Sequence, residues 1–201
     1  MKTSGNAETV SLREGKMNIL ADISGVKLET ERLILREWKE SDLDDFYEYA
    51  SVDGVGQMAG WQPHENIEKS REILDSFING KHTFCIEYEG KAIGSLGLEK
   101  YAENAFSELS DMRGTELGFV LSKDFWGQGL MPEAVNAAAD YCFGTLGADF
   151  LLCGYFPANT RSARIQAKCG FRYYKTLKQI CRSGETRIVV MNVLFGKEKA
   201  L

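Results

Sequence analysis

Only 3 of the 201 residues are proline, and no run of about 18 consecutive apolar residues occurs. The first scarcity argues against long disordered linkers, the second against a membrane-crossing helix. Histidine is limited to His64 and His82, too few for a His-rich zinc site, so no metal is expected. The five cysteines (Cys85, Cys142, Cys153, Cys169 and Cys181) are odd in number, and none stands in C-x-x-C spacing. Each lies in an apolar or mixed stretch, where a free cysteine behaves as a small hydrophobe. A reduced, cytoplasmic protein is the expectation, not a disulfide framework. Neither sign of charge dominates: 24 basic and 29 acidic residues leave a net charge of -5. That balance gives no footprint for a nucleic acid. It suits a cationic partner such as an amine, and equally well suits plain solubility. The first twenty residues lack the apolar core of a secretory signal.

A composition 44% hydrophobic over this length can close a core without staples. The expected organisation is a polar N-terminal extension over residues 1–25, with Met17 as an alternative start, then a single domain over 26–201. Residues 26–36, VKLETERLILR, alternate as one strand covered on both faces. Ser41 and Asp42 open a helix, with Ser41 as N-cap and Leu43, Phe46, Tyr47 and Ala50 as its apolar stripe. Residues 52–63 are Gly-rich and loop-like. Helical spacing returns at Ile67, Ile73, Leu74, Phe77 and Ile78, with Gly80 as the stop. Strands at 83–88 and 92–98 flank the short connection Glu89-Gly90-Lys91. A polar, acidic link over 100–113 leads to a fourth strand at 115–121.

A loop over 122–129 then precedes a helix at 131–143, with Pro132 in its first turn. A fifth strand follows at 150–155, a short helix at 160–168, and two late strands at 171–180 and 186–195. A helical crossover between strands four and five makes them parallel, whereas the hairpins are antiparallel. The predicted fold is α/β in the α+β mixed-sheet sense: about seven twisted strands with helices on both faces.

Chemistry concentrates where residues 124–129, DFWGQG, pass from strand to helix. Gly127 and Gly129 allow a tight turn and close approach of backbone to a ligand. Free amides and the positive end of the following helix make an anion site suited to a pyrophosphate. A plain strand-to-helix turn is the bland alternative.

The whole run ELGFVLSKDFWGQGLMPEAVNAAADYCF resembles the acetyl-CoA-binding motif of the GNAT acetyltransferase superfamily, nearest its branch of Rim-type ribosomal-protein N-terminal acetyltransferases. Four other segments resemble the family in order: LETERLILREWKESDLDDF, FCIEYEGKAIGSLGL, ANTRSARIQAKCGF, and YYKTLKQICRSGETRIVVMNVLF. Together they cover about residues 27–195. Asp124 departs from the pattern, since the family usually carries Gln or Arg there, and a carboxylate facing a pyrophosphate would repel it.

The resemblance implies a GNAT fold with a splay between strands four and five that holds acetyl-CoA as co-substrate. It implies that Phe119, Val120 and Leu121 pair with the pantetheine arm as an added strand would. Gly127, Gln128, Gly129, Leu130 and Met131 would wrap the pyrophosphate, and Asn159 would reach the pantetheine arm. Asn159 is also a natural N-cap. An amine attacks the thioester directly, so no nucleophilic triad is needed. A strand-four amide near Val120 is the family-like donor to the developing oxyanion.

Strand alternation puts Glu116 and Gly118 on one face, and Glu116 is the candidate base or ammonium anchor. The competing reading pairs it with Arg113 or Arg161. Ser162, three residues after Asn159, is the candidate acid, or an ordinary first-turn serine. Tyr173 or Tyr174 offers another proton donor, although aromatic residues in strands usually build core. The loop 52–65, with Met58, Trp61 and His64, is expected to roof the acceptor pocket, helped by Trp38 and Phe84. The acceptor expected is a protein N-terminal α-amine or a small-molecule amine, with no nucleic acid and no membrane; a homodimer is left open. An α-amine titrates near ~7.7–8.0 against ~10.4 for lysine, so a weak base suffices for it. The alternative is a non-catalytic acyl-CoA sensor.

Overall fold

Alternating apolar positions become an eight-stranded mixed sheet in the computed structural model, which describes residues 18–180 and 184–196. The strands are β1 (Leu28–Glu29), β2 (Leu33–Arg36), β3 (Thr83–Tyr88), β4 (Lys91–Glu99), β5 (Gly114–Leu121), β6 (Phe150–Tyr155), β7 (Arg172–Ile180) and β8 (Thr186–Phe195). The helices are α1 (Leu43–Ala50), α2 (Ile67–Gly80), α3 (Leu130–Gly144) and α4 (Thr160–Lys168). The spatial order is β1-β2-β3-β4-β5-β6-β8-β7, so the last strand lies between the two that precede it. Among the described strands only β5 and β6 pair in parallel, as the α3 crossover requires.

One expected strand is two. Residues 26–36 fold back on themselves, with Leu28 opposite Leu35 and Glu29 opposite Ile34. The turn is local chemistry: Thr30 Oγ1 donates to the Leu33 carbonyl and accepts from the Leu33 amide. The sheet therefore has eight strands where seven were counted.

Side chains sort by face. Leu33, Leu35, Phe84, Ile86, Leu96, Leu98 and Leu117 pack under α3 with Ala134, Val135 and Ala138. On the other face Cys85 joins Trp38, Phe46, Tyr49, Ala50 and Leu74 beneath α1 and α2. Helices thus cover both faces. A third cluster gathers Tyr101, Phe106 and Leu109 from the polar link against Phe150, Met191 and Val193. These anchors, with Ala105 and Met112 packed against them, hold down a segment whose many polar and charged residues make it look like a plain connection. Residues 18–25 also differ from expectation: Ile19 and Ile23 are buried in the first core cluster.

Three end signals shift. Ser41 is exposed inside a 3-10 turn (Glu40–Asp42), and Asp42, salt-bridged to Arg36 at 2.7 Å, accepts from the Lys39 amide instead. At the end of α2 the left-handed position falls on Lys81, not Gly80. In the β3–β4 hairpin the two-residue turn is Glu89-Gly90, and both have positive φ, a twist matched to the flanking strands. The four described cysteines are buried and unbridged, and Cys181 lies outside the described residues. No helix among the described residues is long and apolar enough to cross a membrane.

Candidate active site

β5 and β6 pair only at Gly114–Phe150, Thr115–Leu151 and Glu116–Leu152, yet β5 continues to Leu121 and β6 to Tyr155. Beyond Glu116 the two strands have parted. Phe119, Val120 and Leu121 pair with Leu96, Ser95 and Gly94 of β4 and have no strand partner on the β6 side. A cavity of about 1540 Å³ opens there, larger than the ~300–1,000 Å³ usual for one small ligand.

At one end of the cavity the chain turns into α3. Gly127 and Gly129 have φ of 80° and 79°, which a side chain would resist. Nothing lies within 4 Å of a β-carbon built on Gly127. No protein acceptor takes the amides of residues 127–131 among the described residues. They are the free donors of a helix start. Trp126 pins the loop by donating from Nε1 to the Leu121 carbonyl at 2.9 Å. Arg161 of α4 lies over the Trp126 ring, 4.5 Å from its centroid. Arg32 braces the loop from the β1–β2 turn, donating to the Gln128 carbonyl at 3.0 Å and ion-paired with Glu133 at 2.7 Å. Sequence gives no hint of that brace, because its ends lie far apart in the chain.

Of the expected cofactor contacts, Phe119, Val120, Leu121, Gly127, Gly129, Leu130, Met131 and Asn159 line this cavity, and Gln128 does not. The Gln128 side chain turns back to the Asp124 carbonyl at 3.1 Å. Asp124 is exposed and lines no part of the cavity, and its carboxylate takes no hydrogen bond from the loop amides among the described residues. The Asn159 amide is engaged at both ends. Oδ1 accepts from the Ser162 amide at 3.1 Å, and Nδ2 donates to the Met58 carbonyl at 3.1 Å.

The floor is made by β4 and β5. Gly97 faces Gly118, and Glu99 faces Glu116. A β-carbon on Gly118 would meet nothing within 4 Å, so the floor beside Glu116 is bare. Glu116 lines the cavity with no cation at ion-pair distance among the described residues; neither Arg113 nor Arg161 partners it. Burial, and then the charge of Glu99, push its carboxyl up to about 7. Ser162 also lines the cavity. Buried Asn192 donates to Gln166 Oε1 at 2.9 Å, which leaves Gln166 Nε2 to donate to Ser162 Oγ at 3.1 Å. The serine oxygen is thereby an acceptor, and its own proton is left to point elsewhere.

Met58, Trp61 and His64 line the roof, with Ile73 and Phe77 of α2. His64 Nδ1 lies 2.7 Å from Ser70 Oγ, and burial lowers its pKa. Trp38 and Phe84 sit in the two cores instead. Tyr173 is exposed, Tyr174 packs on Phe106, and neither lines the cavity. No group of side chains that could hold a metal occurs among the described residues.

Comparison with known proteins agrees with this geometry. Residues 32–172 match the family described as acetyltransferase (GNAT) domain. An uncharacterized N-acetyltransferase of Bacillus subtilis (strain 168), YoaA, is 26% identical over 166 residues, 76% of this chain and 86% of that protein. The fold matches a GNAT-family acetyltransferase of Bacillus anthracis with a TM-score of 0.73 at 21% identity, covering 85% of this chain and 98% of that one. It also matches Mycobacterium smegmatis RimJ in complex with CoA-disulfide, with a TM-score of 0.65 at 19% identity and 84% of each chain covered.

Proposed function

The chain belongs to the GNAT acetyltransferase family and is an acetyl-CoA-dependent N-acetyltransferase; from that premise we propose that it acetylates a protein N-terminal α-amine or a small-molecule primary amine where β5 and β6 part. The observation that carries this reading is the open floor at Gly118 beside an unpaired Glu116, in one cavity with the glycine loop. The Rim-type branch fits the Rim-like fold neighbour and the order of the sequence segments.

Acetyl-CoA suits the residues present. The free amides at 127–131 would hold its pyrophosphate, and the unpaired edge of β5 over 119–121 would hold its pantetheine arm. The bound thioester supplies the activated acetyl group. Glu116 accepts a proton from the incoming ammonium, either directly or through a water. A carboxyl poised near neutrality is matched to an α-amine. The Ser162 hydroxyl is the donor available to the departing sulfur. Holding both reactants over the Gly97–Gly118 floor supplies much of the acceleration. Catalysis is favoured over a sensor role because Glu116 faces the cavity instead of being sealed in an ion pair.

The test has two parts. Saturating acetyl-CoA should raise the melting temperature, since a ligand bound only by the native state stabilises it. An acceptor screen read by thiol release should then find an amine. A shift with NAD or ATP but none with acetyl-CoA would overturn the cofactor assignment. No thiol release with any peptide or small amine would overturn catalysis.

A further inference from the structure

His82, just before β3, has its tautomer fixed by a neighbour that can only accept. Its Nδ1 lies 2.8 Å from the Gly80 carbonyl oxygen, so Nδ1 carries a proton. In the neutral ring Nε2 is then a lone pair, and it faces Glu99 Oε2 at 3.5 Å. An imidazole lone pair and a carboxylate oxygen oppose each other unless a proton lies between them. His82 and Glu99 thus stand close enough for a proton to pass between them, with 36% and 35% of their side chains exposed to solvent.

The same Glu99 reaches the reaction floor. It stands opposite Glu116 in the β4–β5 register, where facing β-carbons lie ~4.5–5.5 Å apart. Gly97 makes room for it, since a β-carbon there would fall 2.7 Å from Glu99 Oε1. Both carboxyls line the cavity. Beside them the Thr83 hydroxyl, buried and without a protein partner, opens on the same cavity, opposite Gly97. It is a ready anchor for a molecule on the floor, a bridging water included.

We propose that Glu99 and His82 carry the proton taken by Glu116 out to solvent. The proposal rests on the reading of Glu116 as base. Its need follows from the balance of the reaction. An ammonium and a thioester become an amide and a thiol: the N–C bond forms, the C–S bond breaks, and the nitrogen loses two protons. One ends on sulfur, and the other must leave. Glu116 passes it to Glu99, and the half-exposed couple releases a proton to bulk water, returning both carboxyls for the next cycle.

Other charged groups around the cavity do not substitute for this route. From α2, Lys69 is tied to Glu72 at 2.8 Å, and before it His64 is held by Ser70. From β6, the Cys153 thiol is pushed well above its ordinary range by burial and stays protonated. From α4, Arg161 lies on Trp126. Lys100, after β4, also lines the cavity but forms no ion pair with either carboxyl among the described residues, and Glu65 and Glu68 stand on the roof side with the α2 groups.

The test uses the full-length protein in two arms. In the first, ¹³C-carboxyl NMR follows Glu116 through pH with saturating CoA. Glu99→Gln should lower its midpoint, and His82→Gln should raise it by leaving Glu99 more negative. A Glu116 curve unmoved by either substitution would sink the relay. In the second, turnover is measured with acetyl-CoA and a peptide bearing a free N-terminal serine. His82→Ala should lose ~5- to 50-fold, less than the ~10²–10⁴ of the base itself, and added imidazole should restore it in proportion to its concentration. A merely structural histidine would not respond to imidazole. If Glu116→Gln slows turnover but Glu99→Gln and His82→Ala do not, the relay alone falls. If Glu116→Gln is silent too, the base reading falls with it.

Discussion

Arg32 and Glu133 are joined at 2.7 Å across 101 positions of sequence, and the same guanidinium donates to the Gln128 carbonyl at 3.0 Å. One side chain therefore sets both the start of α3 and the loop before it. Glu133 is held below its ordinary range against the pull of burial, by its bonds to Thr30 and Arg32. Arg32→Met should loosen the loop without unfolding it. A partly exposed pair is worth ~0.2–1 kcal/mol, so the melting temperature should barely move. Acetyl-CoA affinity by calorimetry should fall ~3- to 10-fold, or up to ~1.4 kcal/mol. Equal affinity in the variant would mean that the loop keeps its shape unaided.

Gly129→Ala separates folding from binding. At φ of 79° an alanine is strained by about 1–2 kcal/mol, which denaturant melts should register. A β-carbon there has only Arg32 nearby, at 3.6 Å, so no clash adds to the strain. Affinity for acetyl-CoA should drop by more than that strain accounts for, because the methyl stands where backbone must approach an anion. Equal losses in folding and binding would make the loop structural only.

Glu116→Gln should leave acetyl-CoA affinity nearly intact and cut turnover by ~10²–10⁴. With Glu116 as the proposed base, its carboxyl near 7, wild-type kcat/KM should rise with pH through about 7 and then level, and the variant should lose that limb. Stability carries the same signature with a definite sign. The folded state raises this carboxyl, so the fold binds its proton more tightly than the unfolded chain does. Wild type therefore loses stability as pH rises from the ordinary carboxylate range to about 7. Above that pH Glu116→Gln should be more stable than wild type by on the order of 1–3 kcal/mol, and near pH 4 the difference should vanish. Matching melts at both pH values would contradict the burial of this carboxyl.

Ser162→Ala should slow turnover by ~3- to 10-fold, about one hydrogen bond in the rate-limiting barrier, with KM for acetyl-CoA unchanged. Gln166 keeps the Asn192 bond and the Gly154 carbonyl at 3.4 Å, so the helix should hold. A leaving group with a lower thiol pKa should narrow the gap between variant and wild type; a constant gap would make Ser162 an ordinary first-turn serine.

The order of elements, the face shared by Glu116 and Gly118, and the glycine loop were legible because each rests on a local rule: a period, a turn residue, a crossover. What escaped was set by distance. The Arg32 brace, the Arg161–Trp126 contact and the Glu99–Glu116 pairing join segments whose spacing carries no pattern. The first hairpin was missed because Thr30 breaks the strand through its own hydroxyl, with no glycine or proline to mark the turn. The polar link hid Tyr101, Phe106 and Leu109 because the charged and polar residues between them dominate the stretch.

The position of β8 decides when the protein can first work. The far lip of the cleft, β6, touches β5 over three residue pairs but β8 over six. On the ribosome, a chain that has emerged only as far as β7 holds every residue of the glycine loop and of the β4–β5 floor. It still lacks the strand that seats β6, and β7 has no other partner in the sheet. Pairing between strands so far apart in sequence is intrinsically slow. Chains stopped short of Thr186 would expose one edge of β6 and one edge of β7 that pairing with β8 covers.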